Sequence, residues 1–248
     1  MPNAIRRLAL LAALLAASCA GGGDSSETET TPPAGSQQLP NPAGYVALTF
    51  DDGPDPELTP QLLDVLQVYN APATFFVEGT NVHAYPQIVE READEEHGVG
   101  NHSYDHANLL DLSNEQVWRQ IRGTTEELEQ IGIEPVLFRP PYGAHDARID
   151  AIVEEEGLTL TLWSYSADPR DWDTPDGEGK PAAEVCEAVV ERAQGGDLIL
   201  LHDRLAGTVA AVPCIIRRLR ERGLEPGRVV RSGKPSEQND GSLVTVVP

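Results

Sequence analysis

Lysine is almost missing from this 248-residue chain, appearing only at Lys180 and Lys234, and basic residues number 18 against 40 acidic ones. The formal net charge is −22, falling to −24 if the stretch that carries Arg6 and Arg7 is removed. That balance argues against nucleic acid as a partner, because there is little basic surface to meet a polyanion. The acids are spread along the chain rather than massed in one block, as on a solvated surface that keeps an exported protein soluble. Also missing are an apolar run long enough for a comfortable transmembrane span and any repeat of fixed period. Cysteine is sparse, with three residues at Cys19, Cys186 and Cys214.

What is present starts with a leader. Arg6-Arg7 followed by the Ala/Leu run from Leu8 to Ala17 has the charged head and short apolar stretch of a secretory signal, residues 1–18. The run ends Leu15-Ala16-Ala17-Ser18-Cys19, which resembles a bacterial lipoprotein signal. The resemblance implies cleavage before Cys19, lipid on that residue and membrane anchoring, although Ala16 stands where Leu is usual; plain secretion is the alternative. Residues 19–43 are Gly, Ser, Thr, Pro and acid with almost no apolar content, a composition that cannot repay the entropy of ordering and reads as a tether. With Cys19 given to the anchor, Cys186 and Cys214 are an even pair in an oxidising compartment, free to form a disulfide or to stay as buried thiols.

From Gly44 strand-like and helix-like stretches alternate, an α/β pattern. Strands are expected at Val46–Phe50, Ala73–Val77, near Val99, and at Val136–Phe138, Leu158–Trp163, Leu198–Leu201 and Arg228–Val230. Among the helices, one takes Thr59 as its cap with Pro60 next, and one opens on a Ser113/Gln116 capping box. Seven strands with intervening helices suggest a distorted or incomplete (β/α) barrel over residues 44–231, followed by a C-terminal tail, 232–248.

The polar residues fall where such a barrel would collect them. Asp51-Asp52, His102, Arg139, Asp168 to Trp172 and His202-Asp203 all stand at or just beyond the C-terminal end of an expected strand, and in a βα barrel those ends form one face. In Thr49-Phe50-Asp51-Asp52-Gly53-Pro54, strand alternation should send the two carboxylates to opposite sides and give them different work. Alone, that stretch could equally be a solvated turn. His102 and His106, four residues apart, should share one side of a helical turn and, with a carboxylate, form a metal set with open positions, zinc being the default ion. Singly, Arg139 could be a structural ion-pair partner, Trp172 a core aromatic and His202 a satisfied strand-end histidine. His83, His97 and His145 read as surface or capping residues.

Taken in order, Thr49 to Pro54, His102-Ser103-x-x-His106, Arg139-Pro140-Pro141-Tyr142, Asp168-x-x-Asp171-Trp172 and Leu198-x-Leu200-x-His202-Asp203 resemble the five motifs of the polysaccharide deacetylases. These are the NodB-like proteins of carbohydrate esterase family four. Ala107 replaces the Pro often found after the second His. The resemblance implies a metal held by Asp52, His102 and His106, Zn2+ or Co2+, with Asp51 as general base oriented by Arg139. It also implies that the Tyr142 backbone N–H helps hold an oxyanion, that Trp172 and Leu200 wall an acetyl pocket, and that His202 is a general acid tuned by Asp171. The expected function is removal of N-acetyl groups from an exported glycan, peptidoglycan or a chitin-like polymer. The alternatives are O-acetyl esterase action on acetylated xylan and a non-catalytic glycan-binding lipoprotein.

Overall fold

The computed structural model describes residues 44–232 and 244–248. The leader, the tether and Cys19 lie outside them. Strands β1 (Gly44–Asp51), β2 (Thr74–Val77), β3 (Gly98–Asn101), β4 (Leu137–Phe138), β5 (Thr159–Leu160) and β6 (Leu198–His202) are parallel neighbours in the order β5-β4-β3-β2-β1-β6. Between the two ends of this row, Ser164 N–H donates to Leu198 O at 2.9 Å and Leu198 N–H to Ser164 Oγ at 3.2 Å, so the barrel is nearly closed. The runs in β2 and β6 are buried at every residue, as a parallel sheet covered on both faces requires. β7 (Leu224–Arg231) pairs with the first half of β1.

The segment read as a tail contributes a strand: β8 (Val244–Val247) lies antiparallel on β7. Its β-branched run Val244-Thr245-Val246-Val247 carries the propensity for it. Around the sheet run α1 (Leu58–Tyr69), α2 (Gly79–Ala84), α3 (Pro86–Asp94), α4 (Asn114–Gln130), α5 (Ala147–Glu155), α6 (Ala182–Arg192) and α7 (Ala206–Glu221). The Ser113/Gln116 capping box is formed. Thr59 is not a cap: Asp55 Oδ1 accepts from the N–H of Glu57 and Leu58, while the Thr59 hydroxyl turns inward to the fully buried Asp203 carboxylate. The expected strand Leu158–Trp163 pairs only over two residues before bending toward β6. Cys186 on α6 and Cys214 on α7 form a disulfide. Among the described residues, no helix is long and apolar enough to cross a membrane.

Candidate active site

β1 ends at Asp51, and Asp52 already has φ 73°, a left-handed conformation that Asp tolerates better than most residues. The alternation expected of a strand therefore fails here. Asp51 Oδ2 lies 3.7 Å and Asp52 Oδ1 3.4 Å from the same atom, His102 Nε2. The two carboxylates converge instead of diverging. Nor are the histidines on a helical turn. β3 stops at Asn101, and Ser103 and His106 are both left-handed, at φ 67° and 60°. The loop is held by Asn101 Oδ1, which accepts from Ser103 N–H, and by Gln120 Oε1, which accepts from the N–H of Tyr104 and Asp105. This folding leaves the two imidazole rings 5.2 Å apart.

Whether these groups fit a metal can be read from the donors. His102 Nδ1 is 2.7 Å from Arg139 O; a carbonyl only accepts, so Nδ1 carries the proton and Nε2 of the neutral ring is a bare lone pair. That lone pair faces Asp52 Oδ1, which is buried and has no hydrogen-bond partner among the described residues. Two acceptors aimed at each other call for a cation between them. Asp52 Oδ1 is 3.4 Å from His102 Nε2 and 3.3 Å from His106 Nε2. Ligands about 2.0–2.1 Å from a tetrahedral ion are separated by about 3.3–3.4 Å, so Asp52 Oδ1 fits with either imidazole, and all three ligand atoms lie within 4.8 Å of one another. Burial works to raise the Asp52 carboxyl, but the two imidazoles and the charge of His202 outweigh it and hold it below the ordinary carboxylate range. Burial likewise opposes the charged form of His102, yet Asp51 and Asp52 push its pKa up, the same negative field that would draw a metal ion to Nε2 in place of a proton.

Arg139 is fully buried. Its Nη1 donates to Asp51 Oδ1 at 2.7 Å and to Thr49 Oγ1 at 2.8 Å, and Nε donates to Thr161 O at 3.1 Å. Nη2 has no acceptor among the described residues, but the guanidinium lies 4.0 Å from the Phe76 ring centre, where the π face stands in for one. Gly100 is what lets Phe76 lie there, because a Cβ at that position would sit 2.7 Å from the ring. On the other flank Asp171, fully buried, accepts from His202 Nδ1 at 2.8 Å, from His202 N–H at 2.9 Å and from the Thr208 hydroxyl at 2.7 Å. Burial disfavours the His202 cation, but Asp171 and the charges of Asp52 and Asp51 outweigh it and raise the pKa to about 9. His202 Nε2 is 3.9 Å from Asp52 Oδ2.

Tyr142 is left-handed at φ 60° and 68% exposed, with its hydroxyl 3.2 Å from His106 Nδ1. Leu200 is buried two residues before His202, and Trp172 is half-exposed with Arg170 5.3 Å from its ring. The contacts join Asp51, Asp52, His102, His106, Arg139 and Tyr142 in one group and Asp171 and His202 beside it, while Leu200 shares its strand with His202 and Trp172 has Arg170 beside its ring. Two were missed. Arg204 donates from Nε to Asp52 Oδ2 at 2.7 Å, and Asn81 Nδ2 donates to Asp52 O at 2.9 Å. Arg204 directly follows His202-Asp203 in sequence, which is the one signal that could have found it. Of the other histidines, His83 is exposed beside Glu127 and His145 pairs with Asp150. His97 is corrected: it is buried, because its Nδ1 accepts from Ala73 N–H at the start of β2.

Comparison with known proteins supplies the family. Residues 38–161 match the family described as polysaccharide deacetylase. The chain is 39% identical over 189 residues to a peptidoglycan-N-acetylglucosamine deacetylase of Bacillus cereus, covering 75% of this chain and 86% of that protein. The chain belongs to the polysaccharide deacetylase family. As a polysaccharide deacetylase it is a hydrolase, and its nearly closed barrel is that of the family 4 carbohydrate esterase from Streptomyces lividans, solved with acetate. That structure superposes with a TM-score of 0.73 at 33% identity, covering 84% of this chain and 99% of that one. Another relative, a peptidoglycan-N-acetylglucosamine deacetylase of Listeria monocytogenes, is 39% identical over 181 residues; the match spans 73% of this chain but only 37% of that longer protein.

Proposed function

We propose that this deacetylase hydrolyses N-acetyl groups of an N-acetylglucosamine polymer outside the cell, peptidoglycan or a chitin-like glycan, and releases acetate with the help of one divalent ion. The observation that carries the reading is the bare, buried Oδ1 of Asp52 facing two imidazole nitrogens at 3.3 and 3.4 Å, between an acid-base pair held from both sides. Asp52, His102 and His106 would hold the ion, zinc by ligand type with cobalt able to replace it. The chemistry such an ion supplies is Lewis-acid polarisation of the acetyl carbonyl and of water.

The remaining steps belong to side chains. Asp51, fixed by Arg139, takes the proton of the attacking water through Oδ2, the oxygen left free by the guanidinium. The Tyr142 N–H helps hold the oxyanion, and Trp172 and Leu200 wall the acetyl group. His202, kept charged by Asp171, gives its Nε2 proton to the departing amine. For location we infer export with a lipid on Cys19, supported by the Arg6-Arg7 head, the apolar run and the tether behind it.

The test is acetate release from N-acetylglucosamine oligomers, peptidoglycan and acetylated xylan, side by side, with and without chelator. Chelation should abolish release, and zinc or cobalt should restore it. Full activity in metal-free protein refutes the metal role. Activity on xylan alone selects the O-acetyl esterase, and glycan binding without any release selects the non-catalytic reading.

A further inference from the structure

Tyr165 lies outside the five motifs, yet it is 64% exposed in a turn whose backbone is pinned. Ser164 is bonded to Leu198 of β6, Ala167 N–H returns to Ser164 O at 2.8 Å, and the Ala167 side chain is fully buried. The Tyr165 ring rests 5.0 Å from the ring of Trp163, and the Trp163 ring lies 5.9 Å from the Arg139 guanidinium that grips Asp51. From the other side, a Cβ on Gly143 would sit 3.3 Å from the Tyr165 hydroxyl, and Gly143 follows Tyr142, whose ring is 4.6 Å from His106. Two short contact chains, one from Asp51 and one from His106, therefore end on the same exposed phenol ring. We propose that Tyr165, propped by Trp163, is the platform on which the glycan stacks the sugar next to the one being deacetylated. The ring is separated from Asp51 by Arg139 and Trp163 and from His106 by Tyr142 and the Gly143 backbone, which is too far for the sugar whose acetyl group is in the site. An aromatic face held rigidly beside a site for a polymer offers apolar area to the C–H face of a pyranose with little ordering cost.

The inference rests on the glycan deacetylase reading, and the experiment separates the two. The parent, Tyr165→Ala, Tyr165→Phe and Tyr165→Trp are assayed for kcat and KM on N-acetylglucosamine oligomers of two to six sugars and on a small activated acetyl ester. Tyr165→Ala should raise KM about five- to tenfold on the longer oligomers, from the apolar area a sugar face covers, with kcat held. It should leave the activated ester unchanged, while Phe and Trp should restore the parent KM. A KM that does not depend on Tyr165 at any length, or a fall in kcat shared by the small ester, overturns the platform while the deacetylase reading stands. No acetate from any oligomer with the parent overturns both. Titration of the intact protein with fully deacetylated glucosamine oligomers, followed by calorimetry, checks binding without turnover. A response unchanged in Tyr165→Ala likewise overturns the proposal.

Discussion

The hydrogen bonds around Asp171 set up a graded perturbation of a single proton. Asp171 holds the imidazole by Nδ1 and the His202 backbone by its other oxygen, and the Thr208 hydroxyl from α7 fixes that second oxygen. If His202 protonates the leaving amine, His202→Ala should lower N-deacetylation by about a hundredfold to ten-thousandfold, the usual worth of a positioned acid. An activated ester expels a weakly basic anion such as an aryloxide, which leaves without a proton, so its loss should be much smaller. Asp171→Asn should fall between, because an amide still holds the backbone but no longer favours the charged ring. For Thr208→Val, a hydrogen bond to a charged acceptor is worth roughly 1.5–3 kcal/mol, which would be roughly tenfold to a hundredfold if all of it reached the transition state. The His202 N–H still holds Oδ2, so the expected loss is at or below the lower end, and Thr208→Ser should restore it. The pH profile gives an independent reading. Activity on the amide needs the charged imidazole, so it falls as pH rises through the His202 pKa, about 9 here and lower when a dication shares the Asp52 charge. Asp171→Asn should move that basic limb toward the unperturbed value, about 6.5. Measured with metal content confirmed, equal losses on amide and activated ester, or a basic limb that stays in place in Asp171→Asn, would remove His202 as the leaving-group acid.

Breaking the Cys186–Cys214 disulfide by Cys186→Ser with Cys214→Ser should cost roughly 3–4 kcal/mol by loop-closure entropy at a separation of 28 residues, seen as a lower midpoint in thermal or urea unfolding. A midpoint equal to the parent's would mean that the unfolded chain is not constrained by it. Cys19→Ala should release the protein into the medium, and a variant as firmly membrane-bound as the parent refutes the anchor. For His97, burial holds the pKa down to about 4, with the charges of Arg228 and Arg91 adding and Glu95 opposing. The unfolded imidazole binds a proton that the folded one refuses, so its stabilising contribution is present above about 6.5 and is lost as pH falls toward 4, at most about 3 kcal/mol. His97→Asn, which keeps an acceptor for Ala73 N–H, should flatten the fall of melting temperature between pH 7 and pH 4.5. A fall as steep as the parent's would assign the acid sensitivity elsewhere.

The strands were legible because parallel strands covered on both faces must be apolar throughout, and Val46 to Phe50 or Leu198 to Leu201 could be little else. The site was legible because strand ends gather on one face, so polar residues at the ends of apolar runs meet whatever the loops between them do. Side-chain direction was not. Asp52, Ser103, His106 and Tyr142 all take left-handed backbone conformations, and neither strand nor helix periodicity describes a residue there. Thr59 was misread because a cap is a local pattern, whereas its hydroxyl answers to Asp203, 144 residues away. His97 was misread for the same reason, its partner being the backbone of Ala73, 24 residues earlier. β8 escaped because, among the described residues, its partner in the sheet is β7, and nothing near it in sequence announces that pairing.

The left-handed turn at Asp52 decides how two adjacent carboxylates can have different work while facing one atom. Two anions crowded around His102 Nε2 repel one another unless each is compensated. Here each has its own cation, Arg139 on Oδ1 of Asp51 and Arg204 on Oδ2 of Asp52, and each arginine comes from the end of a different strand. One oxygen of each acid is thereby tied back, and one of each is left aimed at the same point. The difference between them then lies in what stands beyond the free oxygen: two imidazoles for Asp52 Oδ1, one for Asp51 Oδ2. Gly53 is needed to make the turn, since a Cβ there would collide with the Asp203 carboxylate beneath it. Asp203 therefore acts on the site through shape, filling the space beside Gly53 while the Thr59 hydroxyl donates to one of its oxygens, so that glycine alone fits the turn that follows the two acids.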